Sequence, residues 1–427
     1  MKELYSIQIG AIYRKILEQD KSFILICAYL FFEYVRPQTI YTWLEVIPWP
    51  PLIIFFTVVS LITEGKKRSR PKNILNSLMV LYLLVVLLSS VFSYDSARSF
   101  DKIRTFTDWF LIYYLIIYAV DDEPKFFIFL FSFLLYSFKM SQHGARVWAL
   151  RGFGFTEWGL SGPSGWFQNS GELGIQMCIF LALSVFFVVS LRSYWGKYKR
   201  LFFYAFPFTA MMVVVASSSR GALLGALVAL ILPLIKNKKF IRGALLFSIV
   251  ASTAYYFVPE ESKARFQSAG DDHTSLHRLE RWEQGMEAML ENPLLGVGHE
   301  AWSSYYPDHF IPEYPGTMLV HNIFVQCGSE LGIIGLLVFL CMIFCSFRSC
   351  AEIRKMCPSA DNPFLFYMSK GFDSALIGYL VSASFITVQY YPYFWIHLSM
   401  VVALHNVATK RYKSQGAGLA TTKAKIS

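Results

Sequence analysis

The chain has 427 residues, of which 55% are hydrophobic, 17% aromatic and only 16% charged, and its formal net charge is +10. A soluble protein of this length cannot hide that much apolar surface, so the composition excludes a water-soluble globular fold. The positive balance calls for no nucleic acid partner. It follows from basic loops lying against anionic membrane lipids.

In chain order, residues 1–20 mix polar and apolar side chains and contain no short apolar core with a small-residue cleavage site. They read as a segment on the inner membrane surface rather than a cleavable signal. Apolar runs separated by short charged loops follow. Their spacing predicts twelve helical spans, near 22–35, 50–63, 74–93, 105–120, 126–139, 171–191, 201–216, 221–235, 243–258, 321–347, 364–388 and 391–407. The expected fold is an all-α integral membrane protein with about 12 transmembrane helices, one polytopic domain over 1–427. Residues 408–427 read as a basic, disordered tail.

Lys and Arg set the orientation. Segments 1–21, 64–73, 121–125, 192–200, 236–242, 348–363 and 408–427 hold 26 of the 39. Positive charge stays in the cytoplasm, so both termini are expected inside. The loops 140–170 and 259–320, and the turn Ser217-Ser218-Ser219, then lie outside.

The 140–170 loop is rich in Gly and Trp (Trp148, Trp158, Trp166). These tryptophans suit an interfacial belt or, alternatively, stacking on sugars. The 62-residue loop 259–320 carries 4 Lys/Arg against 11 Asp/Glu. It is predicted to contain an amphipathic helix capped by Asp272, Thr274 or Ser275. Leu276, Leu279, Met286, Met289 and Leu290 would form its apolar stripe on the rim of the bundle, and Pro293 would end it. Asn292-Pro293-Leu294-Leu295-Gly296-Val297-Gly298 then reads as a turn that needs its glycines. The aromatic residues Trp302, Tyr305, Tyr306 and Tyr314 are candidates for stacking on sugar rings.

Three groups could carry chemistry. Arg220 opens a span after three serines, and a guanidinium at a helix N-terminus makes an anion site suited to phosphate. Arg278 and Arg281 lie three apart on the loop helix; alternatively they are a solvated face pairing with Glu280 or Glu283. His321, next to Asn322, stands at the mouth of a span and titrates near neutrality, as a general base must.

Other patterns are weaker. His273 and His277 have zinc-like spacing but no evident third ligand. None of the seven cysteines falls in an outside loop, so no disulfide framework is implied. Cys341 and Cys345, like His397 and His405, read as packing residues, and Lys370 and Asp373 as an i, i+3 pair. There is no phosphate-binding glycine loop, hydrolase elbow or redox motif, and no cofactor is expected. Gly- or Pro-interrupted spans do not recur at matching places in two halves, as they do in many transporters.

The run Arg278-Leu279-Glu280-Arg281-Trp282, then Pro293-Leu294-Leu295-Gly296-Val297-Gly298, His321-Asn322 and Glu330-Leu331-Gly332 resembles the O-antigen ligase and polymerase superfamily of bacterial inner-membrane enzymes. Ser219-Arg220-Gly221-Ala222 and the segment ending Phe167-Gln168-Asn169 are similar to further motifs of that family. Tyr34-Val35-Arg36-Pro37 looks more like the O-glycosylation ligases that accompany exosortases. The resemblance implies a twelve-span, GT-C-like fold and a metal-independent, inverting transfer. A preassembled glycan would move from undecaprenyl diphosphate to a periplasmic hydroxyl, with lipid A-core the leading acceptor. It implies diphosphate binding by Arg220 and Arg278 and catalysis by His321. Asn322, Asn169, Gly296 and Gly298 are candidate supporting residues, as is Arg281, a cation beyond the family's pattern. An O-antigen polymerase and a protein O-glycosylation ligase are close alternatives. A lipid-linked glycan transporter would instead line its spans with ionisable groups.

Overall fold

The helices follow the apolar runs of the sequence. In a computed structural model the chain is described over residues 1–65, 72–156, 158–234, 273–311 and 318–426. In order, the main elements are α1 (Ile9–Leu17), α2 (Lys21–Leu30), α3 (Trp49–Thr63), α4 (Ile74–Val91), α5 (Ser96–Ala119), α6 (Glu123–Leu150) and α7 (Ser170–Leu191). They continue with α8 (Lys197–Ala216), α9 (Arg220–Ile231), α10 (His273–Glu291), α11 (Trp302–Phe310), α12 (Ile323–Met356), α13 (Pro363–Ala383) and α14 (Pro392–Ile426). A helix stands at each expected span except 243–258, which lies outside the described residues. By length and composition, 5 helices among the described residues can cross a membrane. Over the described residues the chain is all-helical, and its apolar helices are those of a multi-pass membrane protein.

Helix starts are written into the sequence. Asn73 accepts from Leu75 N (3.0 Å), Asp95 from Arg98 N (3.0 Å), Asp122 from Lys125 N (2.8 Å) and Asn362 from Leu365 N (3.1 Å). Each side chain satisfies an amide that has no partner inside its helix.

The centre of the bundle is α7, whose apolar window is 83% buried, against 33–50% for the other candidate spans. It packs on α8, α9 and α13. Small residues allow the close approach: a Cβ on Gly225 would lie 2.4 Å from the Gly378 carbonyl, and one on Gly174 would lie 2.6 Å from Ala222 Cβ. Between apolar helices in lipid, such contact supplies the packing that hydrophobic exclusion cannot. On the outside, Phe55, Phe56, Leu84, Leu88, Leu337 and Phe344 are exposed, as lipid-facing side chains should be.

The two ends of the bundle differ. At one end Lys125 pairs with Asp20 (3.0 Å) and Asp121 (2.6 Å), and Glu123 receives Arg411 (2.9 Å), Asn362 (2.8 Å) and the Tyr5 hydroxyl. That network joins the first helices to α6, α13 and α14. The opposite end carries the loops after α6, the start of α9, α10, α11, the start of α12 and the turn from Ser384 to Tyr391.

Several expectations need revision. The 140–170 loop is helical to Leu150, because α6 continues past its predicted end. The loop helix begins at His273, so Thr274 and Ser275 lie within it and cannot cap it; Asp272 is outside the described residues. Its stripe is displaced too. Leu276, Leu279, Met286 and Leu290 are exposed, while Gly285 and Ala288 are buried and Met289 meets Gly328. Beside a membrane an apolar face has lipid as well as protein to turn to, so the apolar stripe does not identify the packed face. Asp373 pairs with Arg354 at 2.6 Å, whereas the Lys370 ammonium lies 4.8 Å from the centre of the Phe366 ring. His405 is bonded to Glu352 (3.0 Å), while His397 packs on Phe372. Finally, α14 runs to Ile426 through the expected disordered tail, where Ala, Lys and Gln favour helix.

Candidate active site

The site end is organised by a break in α12. Gly332 has φ 65° and ψ −169°, which interrupts the helix nine residues after its start. A break frees backbone groups, and at membrane depth protein must satisfy them. The loop after α10 does so: Ile333 N donates to Pro293 O (2.8 Å), Val297 N to Ser329 O (2.8 Å) and Gly298 N to Glu330 O (3.1 Å). Ser89 Oγ meets both Leu295 O and Glu330 O at 2.9 Å. A Cβ at Gly332 would lie 2.4 Å from the Leu294 carbonyl carbon, and one at Gly296 would lie 2.4 Å from that of Glu330. Two sequence motifs are thus the two halves of one joint. Gly296 and Gly298 shape that joint and Asn322 caps the first half, accepting from Phe324 N (2.9 Å) and Val325 N (3.3 Å).

His321 immediately precedes this half-helix. Its backbone is left-handed, φ 55°, which is unusual for a side chain with a Cβ. Its N–H donates to Thr387 Oγ1 at 2.9 Å. The imidazole is half-buried, and its pKa is pushed down from 6.5 to about 4, first by burial and then by the positive charges of Arg278 and Arg281. The ring is therefore neutral at pH 7, and both arginines of α10 lie within electrostatic reach of it.

The same turn that holds His321 gathers the other candidates. Phe385 stacks towards Trp282 (centroids 6.2 Å apart), which follows Arg281 on α10. Phe385 also lies 3.1 Å from where a Cβ of Gly221 would be, next to Arg220. Arg220 is the first residue of α9, capped by Ser219, whose hydroxyl accepts from Ala222 N (3.3 Å). Ile386 reaches Gly171 at the start of α7. Arg281 Nη2 points at the Met318 thioether, a weak acceptor, while Arg281 Nε and Trp282 Nε1 are buried without a hydrogen-bond partner among the described residues. Glu280 is bonded to His277 (3.2 Å).

Asn169 has a local duty: its N–H and Nδ2 both donate to Glu172 at 3.0 Å, at the start of α7. Trp302, Tyr305 and Tyr306 are not free to stack on sugars. They form a small core of their own under α10, and Tyr305 donates to Glu291 (2.6 Å). Tyr314 lies outside the described residues. Among the described residues no His/Cys/Asp/Glu cluster could hold a metal. The Ser384–Tyr391 turn was missed by the sequence reading. Its residues carry no charge, and only their neighbours make them important.

Residues 205–340 match the O-antigen ligase family, a stretch that includes Arg220, Arg278, Arg281 and His321. Over that stretch the chain is similar to the O-antigen ligase family. A Rickettsia conorii protein provisionally described as a polysaccharide ligase is 31% identical over 112 residues, covering 24% of this chain and 26% of that protein. The exopolysaccharide production protein ExoQ of Rhizobium meliloti is 25% identical over 199 residues, 43% of this chain and 45% of its own length. The chain thus matches under half the length of either relative.

Proposed function

We propose that the protein is a glycan ligase of the bacterial inner membrane, moving a preassembled saccharide from undecaprenyl diphosphate to a periplasmic acceptor hydroxyl, with lipid A-core the leading acceptor. The observation that carries this reading is the grouping of a neutral, half-buried His321 with Arg278 and Arg281, next to the turn that touches the start of α9.

The chemistry follows from the charges. A lipid diphosphate leaves as its bond to the sugar breaks, and guanidinium groups aimed at it stabilise the negative charge that develops. Arg278 and Arg220 take that role, and the unpartnered Arg281 Nε offers a further donor. A sugar hydroxyl has a pKa far above 7, so removal of its proton as it attacks lowers the barrier. His321 accepts that proton. Its basicity is suppressed first by burial and then by the two arginines. A bound diphosphate offsets their charge and returns the imidazole towards the range where a general base works best.

The test is deletion of the gene followed by analysis of the glycans, with complementation by His321→Ala. A ligase leaves free core and stranded polymer on the carrier, in the deletion and the variant alike. Core bearing single repeats would indicate a polymerase. Intact lipopolysaccharide with altered glycoproteins would indicate a protein ligase.

A further inference from the structure

A cavity of about 420 Å³ opens between α2, α3, α5 and the loop before α7. Its volume suits a small organic ligand. None of the charged candidates above lines it. Its polar wall carries Glu33, Arg36 and Asp108, and its aromatic wall Trp109, Trp166 and Tyr391.

The wall is built and only partly satisfied. Glu33 is 4% exposed; its carboxylate accepts from Tyr29 and Trp166, while its Oε1 has no hydrogen-bond partner among the described residues. Arg36 Nε and Gln38 Oε1 are buried in the same condition. Burying such atoms costs free energy unless a ligand or water completes them. Arg36 ends a π-helical turn (Phe31–Val35) with φ 52°, a conformation that side chains with a Cβ seldom adopt. Its guanidinium lies against bare backbone: a Cβ on Gly165 would be 2.2 Å from Arg36 Nη1.

The aromatic wall is held in place. Trp109 Nε1 donates to Tyr390 O (2.7 Å) and the Tyr391 hydroxyl to Glu172 (2.9 Å). Trp166 meets both rings edge-on, at 5.4 and 4.9 Å between centroids. The partly exposed rings of Trp166 and Tyr391 can take the C–H face of a pyranose, with the buried Trp109 bracing them. Carboxylate and amide oxygens accept its hydroxyl protons, and a guanidinium donates to its oxygens. A lipid tail would leave the polar wall unsatisfied, and an anion would meet two carboxylates beside one arginine.

Given the transfer reading above, we propose that this cavity holds a hydroxyl-rich sugar ring of one of the two glycan substrates. Tyr391 belongs to the turn whose Thr387 holds His321, and Gln168 precedes Asn169 at the start of α7, so a ring seated here is tied to the reacting centre through two short segments.

The test uses the full chain in lipid nanodiscs, with Glu33→Gln and, on the facing wall, Asp108→Asn. Two probes are titrated by tryptophan fluorescence: core oligosaccharide and carrier-linked glycan, both extracted from a strain lacking the gene. At least one of the two variants is expected to weaken binding of one probe tenfold or more. The same variant should raise KM for that substrate while leaving kcat within about twofold. Loss on the core probe identifies the acceptor as occupant, and loss on the carrier-linked probe the donor glycan. Unchanged affinity for both probes in both folded variants, or a wild-type chain that binds neither, overturns the proposal. Binding that depends on Glu33 in a chain without transfer activity would leave the sugar site standing and remove the ligase reading. Normal transfer with unchanged KM in both variants would do the reverse.

Discussion

Replacing Arg281 with Gln should make His321 a stronger base. The imidazole sits at about 4 because burial and two positive charges disfavour its protonated form. Burial is the larger cause, so removing one charge should raise the midpoint by roughly half a unit to one unit. At pH 5 a group with a pKa near 4 is about nine-tenths neutral, whereas an ordinary histidine is only about 3% neutral. Of the two forms of histidine, diethyl pyrocarbonate reacts with the neutral ring, so its rate at His321, read by mass spectrometry of the His321 peptide between pH 4 and 7, reports the titration without requiring activity. The wild-type midpoint should fall well below 6.5, and the Arg281→Gln midpoint should lie above it. A wild-type midpoint at 6.5, or one that Arg281→Gln leaves unmoved, refutes the electrostatic reasoning. The sign for stability follows. The folded chain resists protonating His321, so the unfolded chain binds more protons between pH 6.5 and about 4, and stability falls as pH drops through that window.

Arg220→Ala, Arg278→Ala and His321→Ala should each reduce transfer by about 100-fold or more while the protein still inserts, measured with carrier-linked donor; near-normal rates in all three would remove the site. Gly332→Ala should lower the thermal midpoint by several degrees, because φ 65° with ψ −169° suits glycine and the new Cβ meets the Leu294 backbone. The cost is about 2 kcal/mol or more, and an unchanged midpoint would contradict the joint. Asn322→Ala should cost about 1 kcal/mol through loss of the cap, with Asn322→Ser recovering most of it in the same melting assay. Trp158→Cys, at a position 82% exposed, should react with a membrane-impermeant maleimide on intact spheroplasts. Reaction only after permeabilisation would invert the assigned orientation.

The positions of the helices were legible because lipid demands long apolar runs and capped ends, and both are local properties. Asp95, Asp122 and Asn362 cap the helices they precede. The buried face of α10 was not legible: the stripe that protein burial would predict points away from the bundle, while Arg278, Trp282 and Gly285 form the inner side. Lys370 and Asp373 fit the i, i+3 rule, yet a better partner, Arg354, comes from another helix.

By itself the sequence determined the all-helical membrane class and the residue types available for chemistry, since hydropathy and side-chain identity need no neighbours. Tertiary structure decided where those residues stand. It joined Pro293–Gly298 to the Gly332 break, brought Arg278 and Arg281 to His321, and set uncharged Phe385 and Thr387 against Trp282 and His321. Backbone hydrogen bonds across a broken helix and charge acting through a half-buried space connect residues far apart in the chain, and no local pattern encodes them.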